Sequence, residues 1–254
     1  MTPHIILFLA ANPLGTDQSA LDREARAIQV ELERSGHRDR FDFVTRWAAE
    51  PLDLLRELRS LKPAVVHFCG RSTPSVPAGH SDADRGLLFQ RPDGGAQCVS
   101  IEALTQTFGA AGASVRLAVL SACYSEAEAE ALRAQVDCVV GMSGSIGDDA
   151  ARSFAIGFYG GLGAAEPVEA AFRQGCAAIS LVGLSEHDLP RLKVRDGIDA
   201  QQLIFAADAL PQPTDRPTAS MTAITASNGS VAAGSINGSV VIVGEPLGPD
   251  GGDG

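Results

Sequence analysis

Short, continuous apolar runs alternate with longer segments whose apolar positions recur every three or four residues. Ile5–Ala10 is the first such run, the pattern of a strand buried on both faces. Asn12-Pro13-Leu14-Gly15 breaks it. Ser19, with Asp22 three residues on, resembles a capping box. Leu21, Ala25, Ile28 and Leu32 then mark one face of an amphipathic helix that Gly36 stops. Phe41–Trp47 alternates and predicts a second strand. A helix beginning near Pro51 buries Leu54, Leu55 and Leu58.

Ala64–Cys69 is a third strand, ending at Gly70-Arg71-Ser72. A polar stretch with Pro74, Pro77, Gly79 and His80 follows. Gly86–Gln90 and Ala96–Val99 flank Pro92-Asp93-Gly94-Gly95 and predict an antiparallel hairpin. Ser100 and Glu102 open a helix to about Phe108. Val115–Ser121 is a fourth core strand, followed by a helix from Ser125 to about Val136, then Cys138–Met142. Helices over Asp148–Leu162 and Pro167–Leu181 come next. Leu192–Val194 and Leu203–Phe205 are weak strands. The alternation predicts an α/β fold with a mainly parallel sheet and helices on both faces. It places Gly70-Arg71-Ser72 beside Ser121-Ala122-Cys123 if their strands are adjacent.

Composition changes the picture only beyond residue 206. Residues 207–220 are proline-rich and read as a linker. Residues 221–244 repeat Asn-Gly-Ser-Val at 228–231 and 237–240 and contain the strand-prone Val240-Val241-Ile242-Val243. Such a tail either pairs with another chain, allowing self-association, or stays partly disordered. Residues 245–254 read as a flexible end. The 254-residue chain is 45% hydrophobic with a formal net charge of -11, which argues against nucleic acid or an anionic membrane as partner. No apolar run near the start is long enough to span a bilayer, and a cytoplasmic location is the default. The five cysteines do not form a disulfide-like or CxxC pattern. No metal and no cofactor is expected from spacing.

The candidate chemistry centres on Arg116–Glu126, where an apolar strand stops at Ser121-Ala122-Cys123 and a helix begins. Strand carboxyl ends are where α/β sheets place chemistry, and a helix N-terminus favours a thiolate. Cys123 is therefore the candidate nucleophile, and its own backbone N–H is a candidate oxyanion donor. The other four cysteines read as core. Glu126, Glu128 and Glu130 read as solvated charges at a helix start. Asp148 and Asp149 read as helix-capping residues. The first turn lacks GxGxxG, which argues against a dinucleotide site. No arginine follows Cys123 closely enough for a cysteine-phosphatase loop.

Val66-His67-Phe68-Cys69-Gly70 resembles the histidine motif of the CHAT domains, caspase- and separase-like cysteine peptidases, whose usual form is Val-His-Phe-Ser-Gly-His-Gly. Val119-Leu-Ser-Ala-Cys-Tyr-Ser125 resembles their cysteine motif. Leu7–Pro13, Val136–Met142, Ile146–Ala150 and Gly157–Tyr159 support the likeness, which covers about residues 4–206. The resemblance implies a caspase-like α/β/α sandwich and, in bacteria, an effector role in signalling or defence with a protein or peptide as partner. It also exposes a departure. Arg71 stands where the family has its catalytic histidine, and Ser72 stands where a glycine N–H contributes to the oxyanion site. A guanidinium does not deprotonate in a protein and cannot serve as base. His67 and His80 remain as candidate bases, each weighed against a packing or solvated role. Three readings follow: a caspase-like protein with impaired or lost proteolysis, an active cysteine endopeptidase using His67 or His80, and a non-enzymatic module binding an anionic group through Arg71.

Overall fold

The structure, a computed structural model, describes residues 2–13, 18–73 and 85–206. The chain divides into two units, Met1–Asp208 and Ala209–Gly254. The linker and tail expected over 207–254 lie outside the described residues, as do Pro74–Asp84.

The continuous apolar runs at Ile5, Ala64, Leu117 and Cys138 form parallel strands of one six-stranded sheet. In chain order the elements are β1 (His4–Ala10), α1 (Gln18–Arg34), β2 (Phe41–Trp47), α2 (Pro51–Leu61) and β3 (Val65–Cys69). After β4 (Arg71–Ser72) come β5 (Gly86–Gln90), β6 (Ala96–Ser100), α3 (Ile101–Ala110), β7 (Leu117–Ser121) and α4 (Glu126–Leu132). The last are β8 (Cys138–Met142), α5 (Asp148–Gly163), α6 (Val168–Leu181) and β9 (Pro190–Val194). The large sheet runs β2-β1-β3-β7-β8-β9. All its pairs are parallel except β8 with β9.

Side chains of successive residues point to opposite faces of a strand. Hence Ile6, Phe8 and Ala10 of β1 join one core with α1, α5 and α6, while Leu7 and Leu9 join a second core with α2, α3 and α4. This is why the central strands lack alternation: both faces are covered. Close approach fixes the α5–α6 pair. A Cβ on Gly157 would sit 2.4 Å from the Gln174 carbonyl oxygen, and one on Gly175 would meet the Phe154 ring at 2.7 Å.

The chain goes outward from β1 to β2, then crosses β1 to reach β3 and continues toward β9. Helices α1 and α2 lie on opposite faces, so the winding reverses between β1 and β3. Ligands of open α/β sheets bind outside the strand carboxyl ends at such a reversal.

Several expectations need correction. The predicted hairpin β5–β6 carries a third strand, because Arg71 and Ser72 pair antiparallel with Leu88 and Leu87. Ser19 is the second residue of α1 as the helix is described. Residues 203–205 form no strand, although Leu203 and Phe205 are buried in the first core. Helix α4 is only seven residues long. Cys98 is exposed on β6, whereas Cys69 and Cys138 are buried. Glu128 is buried too, because α4 turns it toward the sheet.

Candidate functional site

The β3–β7 register pairs Cys69 with Ser121, so the two motif ends are neighbours. Gly70 N–H reinforces this by donating to Ser121 O at 3.2 Å. A cavity of about 430 Å³ opens there, lined by segments that follow β1, β3, β7 and β8. Its ionisable side chains are Glu24, Cys69, Arg71, Cys123, Tyr124 and Asp148.

Cys123 sits on the turn between β7 and α4, half-buried. Tyr124 beside it has φ +60°, the left-handed region, which lets the chain turn sharply after the strand. Buried Ser125 anchors this turn. Its hydroxyl donates to Leu120 O at 3.0 Å and accepts from Met142 N–H at 3.0 Å, linking β7 to β8. Ala122 N–H donates to Leu120 O and Tyr124 N–H to Gly144 O, at 2.9 and 3.0 Å. The Cys123 thiol points across the cavity toward the segment after β8, with Sγ 3.5 Å from Ile146 O and 3.7 Å from Ser145 Oγ.

Short strand β4 positions the opposite wall. Ser72 is nearly buried, and its hydroxyl donates to the Cys123 carbonyl oxygen, tying the two motifs together. Arg71 is exposed on the rim and forms no ion pair among the described residues. Its backbone is fixed by pairing with β5, so the residue at this position is presented to the cavity regardless of its side chain.

His67 lies beneath the cavity and not in it. It is fully buried, stacked on Phe8 at 5.0 Å between ring centroids. Both ring nitrogens have partners: Nδ1 pairs with the Tyr159 hydroxyl at 2.9 Å and Nε2 with Glu24 Oε1 at 3.0 Å. Cys69 Sγ donates to the other Glu24 oxygen at 3.1 Å. Burial pushes the Glu24 carboxyl up, but its bonds to His67, the His67 charge, and bonds from Cys69 and Ser121 outweigh this and hold it below the usual glutamate range. Burial and the nearby Glu24 carboxylate push the Cys69 thiol well up, and burial does the same to the Tyr159 hydroxyl. His80 lies outside the described residues. Among the described residues lining the cavity there is no histidine.

Glu24 was not singled out by sequence reasoning, although a signal existed. Leu21, Glu24, Ala25 and Ile28 share one face of α1, and a carboxylate on an apolar stripe needs donors to offset a desolvation cost of several kcal/mol. Asp148 lies in the first turn of α5, whose N-cap is Gly147, and also lines the cavity. Among the other expected surface acids, Glu126 pairs with Lys193 at 2.7 Å and Glu130 with Arg133.

A mainly parallel sheet sandwiched by helices, with a cysteine at the end of a central strand, defines a caspase-like architecture. Comparison with solved structures agrees. The chain is similar to a secreted C11 cysteine protease from Bacteroides thetaiotaomicron, solved in complex with an irreversible peptide inhibitor. Identity is 12% and the TM-score is 0.54; the match covers 76% of this chain and 66% of that one. Comparison with curated proteins finds no match. The CHAT domain family model matches residues 10–186, and the chain belongs to that family. No helix among the described residues is long and apolar enough to cross a membrane.

Proposed function

We propose that this chain is a caspase-like CHAT protein of a bacterial signalling or defence system that has lost proteolysis and acts by binding a protein or peptide segment at the Cys123 cavity. One observation carries the reading. The position from which the family's base would act holds Arg71, and the described cavity wall contains no histidine. Peptide cleavage by a thiolate needs a group that hands a proton to the leaving amine. Arg71 cannot do so, and His67 is committed to Glu24 and Tyr159. What the cavity retains suits binding: a half-buried thiol, an arginine on the rim and a volume near 430 Å³. Arg71 suits an anionic group, such as a carboxylate, on the bound segment. The peptide inhibitor carried by the similar C11 protease is consistent with a peptide as ligand. The site lies on a cytoplasmic protein in this reading, and self-association through residues 221–244 serves assembly.

A second reading keeps an active endopeptidase with His80 as base, and is favoured only by the intact Cys123 turn. Incubation of the full chain with a diverse peptide library, read by mass spectrometry, separates the two. No cleavage beyond that of Cys123→Ala is expected from the wild type. Cleavage that Cys123→Ala abolishes would overturn the proposal.

A further inference from the structure

We propose that Glu24, His67 and Cys69 form a transition-metal site, best suited to zinc, at the floor of the Cys123 cavity. The three residues come from α1 and β3. Their donor atoms, a carboxylate oxygen, an imidazole nitrogen and a thiol sulfur, all lie within 4.8 Å of one another. A tetrahedral zinc ion bound at about 2.0–2.3 Å requires donors roughly 3.3–3.7 Å apart. His67 Nε2 and Cys69 Sγ lie 3.0 and 3.1 Å from different Glu24 oxygens, and the three donors lie within 4.8 Å of one another, so the side chains close by up to about an ångström to take the ion.

Three features point to a ligand set beyond a hydrogen-bonded triad. The first is charge. A carboxylate and a thiolate with a neutral imidazole carry two negative charges, which a divalent ion neutralises in a site where all three residues are buried. The second is orientation. Tyr159 holds His67 Nδ1 at 2.9 Å, leaving Nε2 to face Glu24 and Cys69, the arrangement in which a metal-bound histidine donates its other N–H to an outer partner. The third is access. Glu24 and Cys69 both line the cavity, so an ion can reach the site from solvent. The mixed N/O/S set disfavours magnesium and calcium, which take oxygen ligands, and suits a borderline ion.

The protons balance. In the metal-free form Cys69 S–H donates to Glu24 and His67 Nε2 pairs with the same carboxylate. On binding, the Cys69 proton goes to solvent. The proton His67 carries on Nε2 is displaced, and Nδ1–H donates to the Tyr159 oxygen. At least one proton is released per ion.

Cobalt(II) titration of the metal-free full chain tests the site, followed by zinc competition. The expected result is a thiolate-to-cobalt charge-transfer band that saturates at one ion per chain and disappears when zinc is added. The band should be lost in Cys69→Ser and kept in Cys123→Ala. Tyr159→Phe should weaken binding by about 10- to 100-fold, which a simple hydrogen-bonded triad would not produce. A wild-type chain that shows no such band overturns the proposal without any variant. So does a band that survives Cys69→Ser and is lost in Cys123→Ala, because the ion would then sit on the upper thiol.

Discussion

Removing the carboxylate of Glu24 should destabilise the fold far more than a typical helix substitution. In Glu24→Ala, His67 Nε2 and Cys69 Sγ lose their acceptor at 3.0 and 3.1 Å, and both residues are buried. Each orphaned buried donor costs about 1–3 kcal/mol, and the missing side chain leaves a void beside the cavity floor. Two orphaned donors together with the void put the expected loss at about 3–5 kcal/mol. It is a large fraction of the roughly 5–15 kcal/mol that stabilises a domain. The assay is urea unfolding with chelator present, following the midpoint at unchanged m-value. The effect also has a pH signature. Glu24 is held below the usual glutamate range by His67, Cys69 and Ser121, so its contribution is complete above the unfolded glutamate value and is lost as pH falls through the lower folded value. Wild type and Glu24→Ala should therefore converge in acid. A loss below about 1 kcal/mol at neutral pH, or a gap that widens in acid, would refute the network.

Other expectations concern separate parts of the molecule. Burial raises the Glu128 carboxyl, and its Oε2 has no hydrogen-bond partner among the described residues, so wild type loses stability as pH rises from the usual glutamate range through the raised value. Glu128→Met should gain about 1 kcal/mol at neutral pH by thermal melting, with the gain vanishing in acid; a loss at neutral pH would contradict this. Gly157→Ala should cost about 1–3 kcal/mol, because its Cβ would meet the Gln174 carbonyl at 2.4 Å; an unchanged melting temperature would contradict the α5–α6 packing. In the native chain iodoacetamide should modify exposed Cys98 and half-buried Cys123 before Cys69 and Cys138, the last with its thiol pushed up to about 12 by burial. Equal rates at all four, measured by peptide mapping, would contradict the burial.

Much of the architecture was legible because buried parallel strands leave continuous apolar runs, and the runs at Ile5, Ala64, Leu117 and Cys138 each became a strand. The site was legible to the extent that it follows from strand ends: the β3–β7 pairing brings Arg71 and Ser72 to Cys123. Features that depend on long-range pairing were not legible. Arg71 and Ser72 form a strand only because β5 lies beside them. Glu24 and Tyr159 meet His67 across separations of 43 and 92 residues, which no local spacing encodes. Leu203 and Phe205 were apolar enough for a strand, yet they are buried in the core without joining the sheet. Cys98 carried no local signal either, since whether a hairpin residue faces core or solvent depends on what covers it.

The central claim is that Cys123 occupies a peptidase site made silent by the residues opposite it. The most direct measurement compares peptide turnover by wild type, by Arg71→His with Ser72→Gly, and by that double variant carrying Cys123→Ala. The account predicts turnover only in the second, because a histidine on β4 would restore the base while Ser125 still anchors the Cys123 turn. Equal Cys123-dependent turnover by wild type would contradict it.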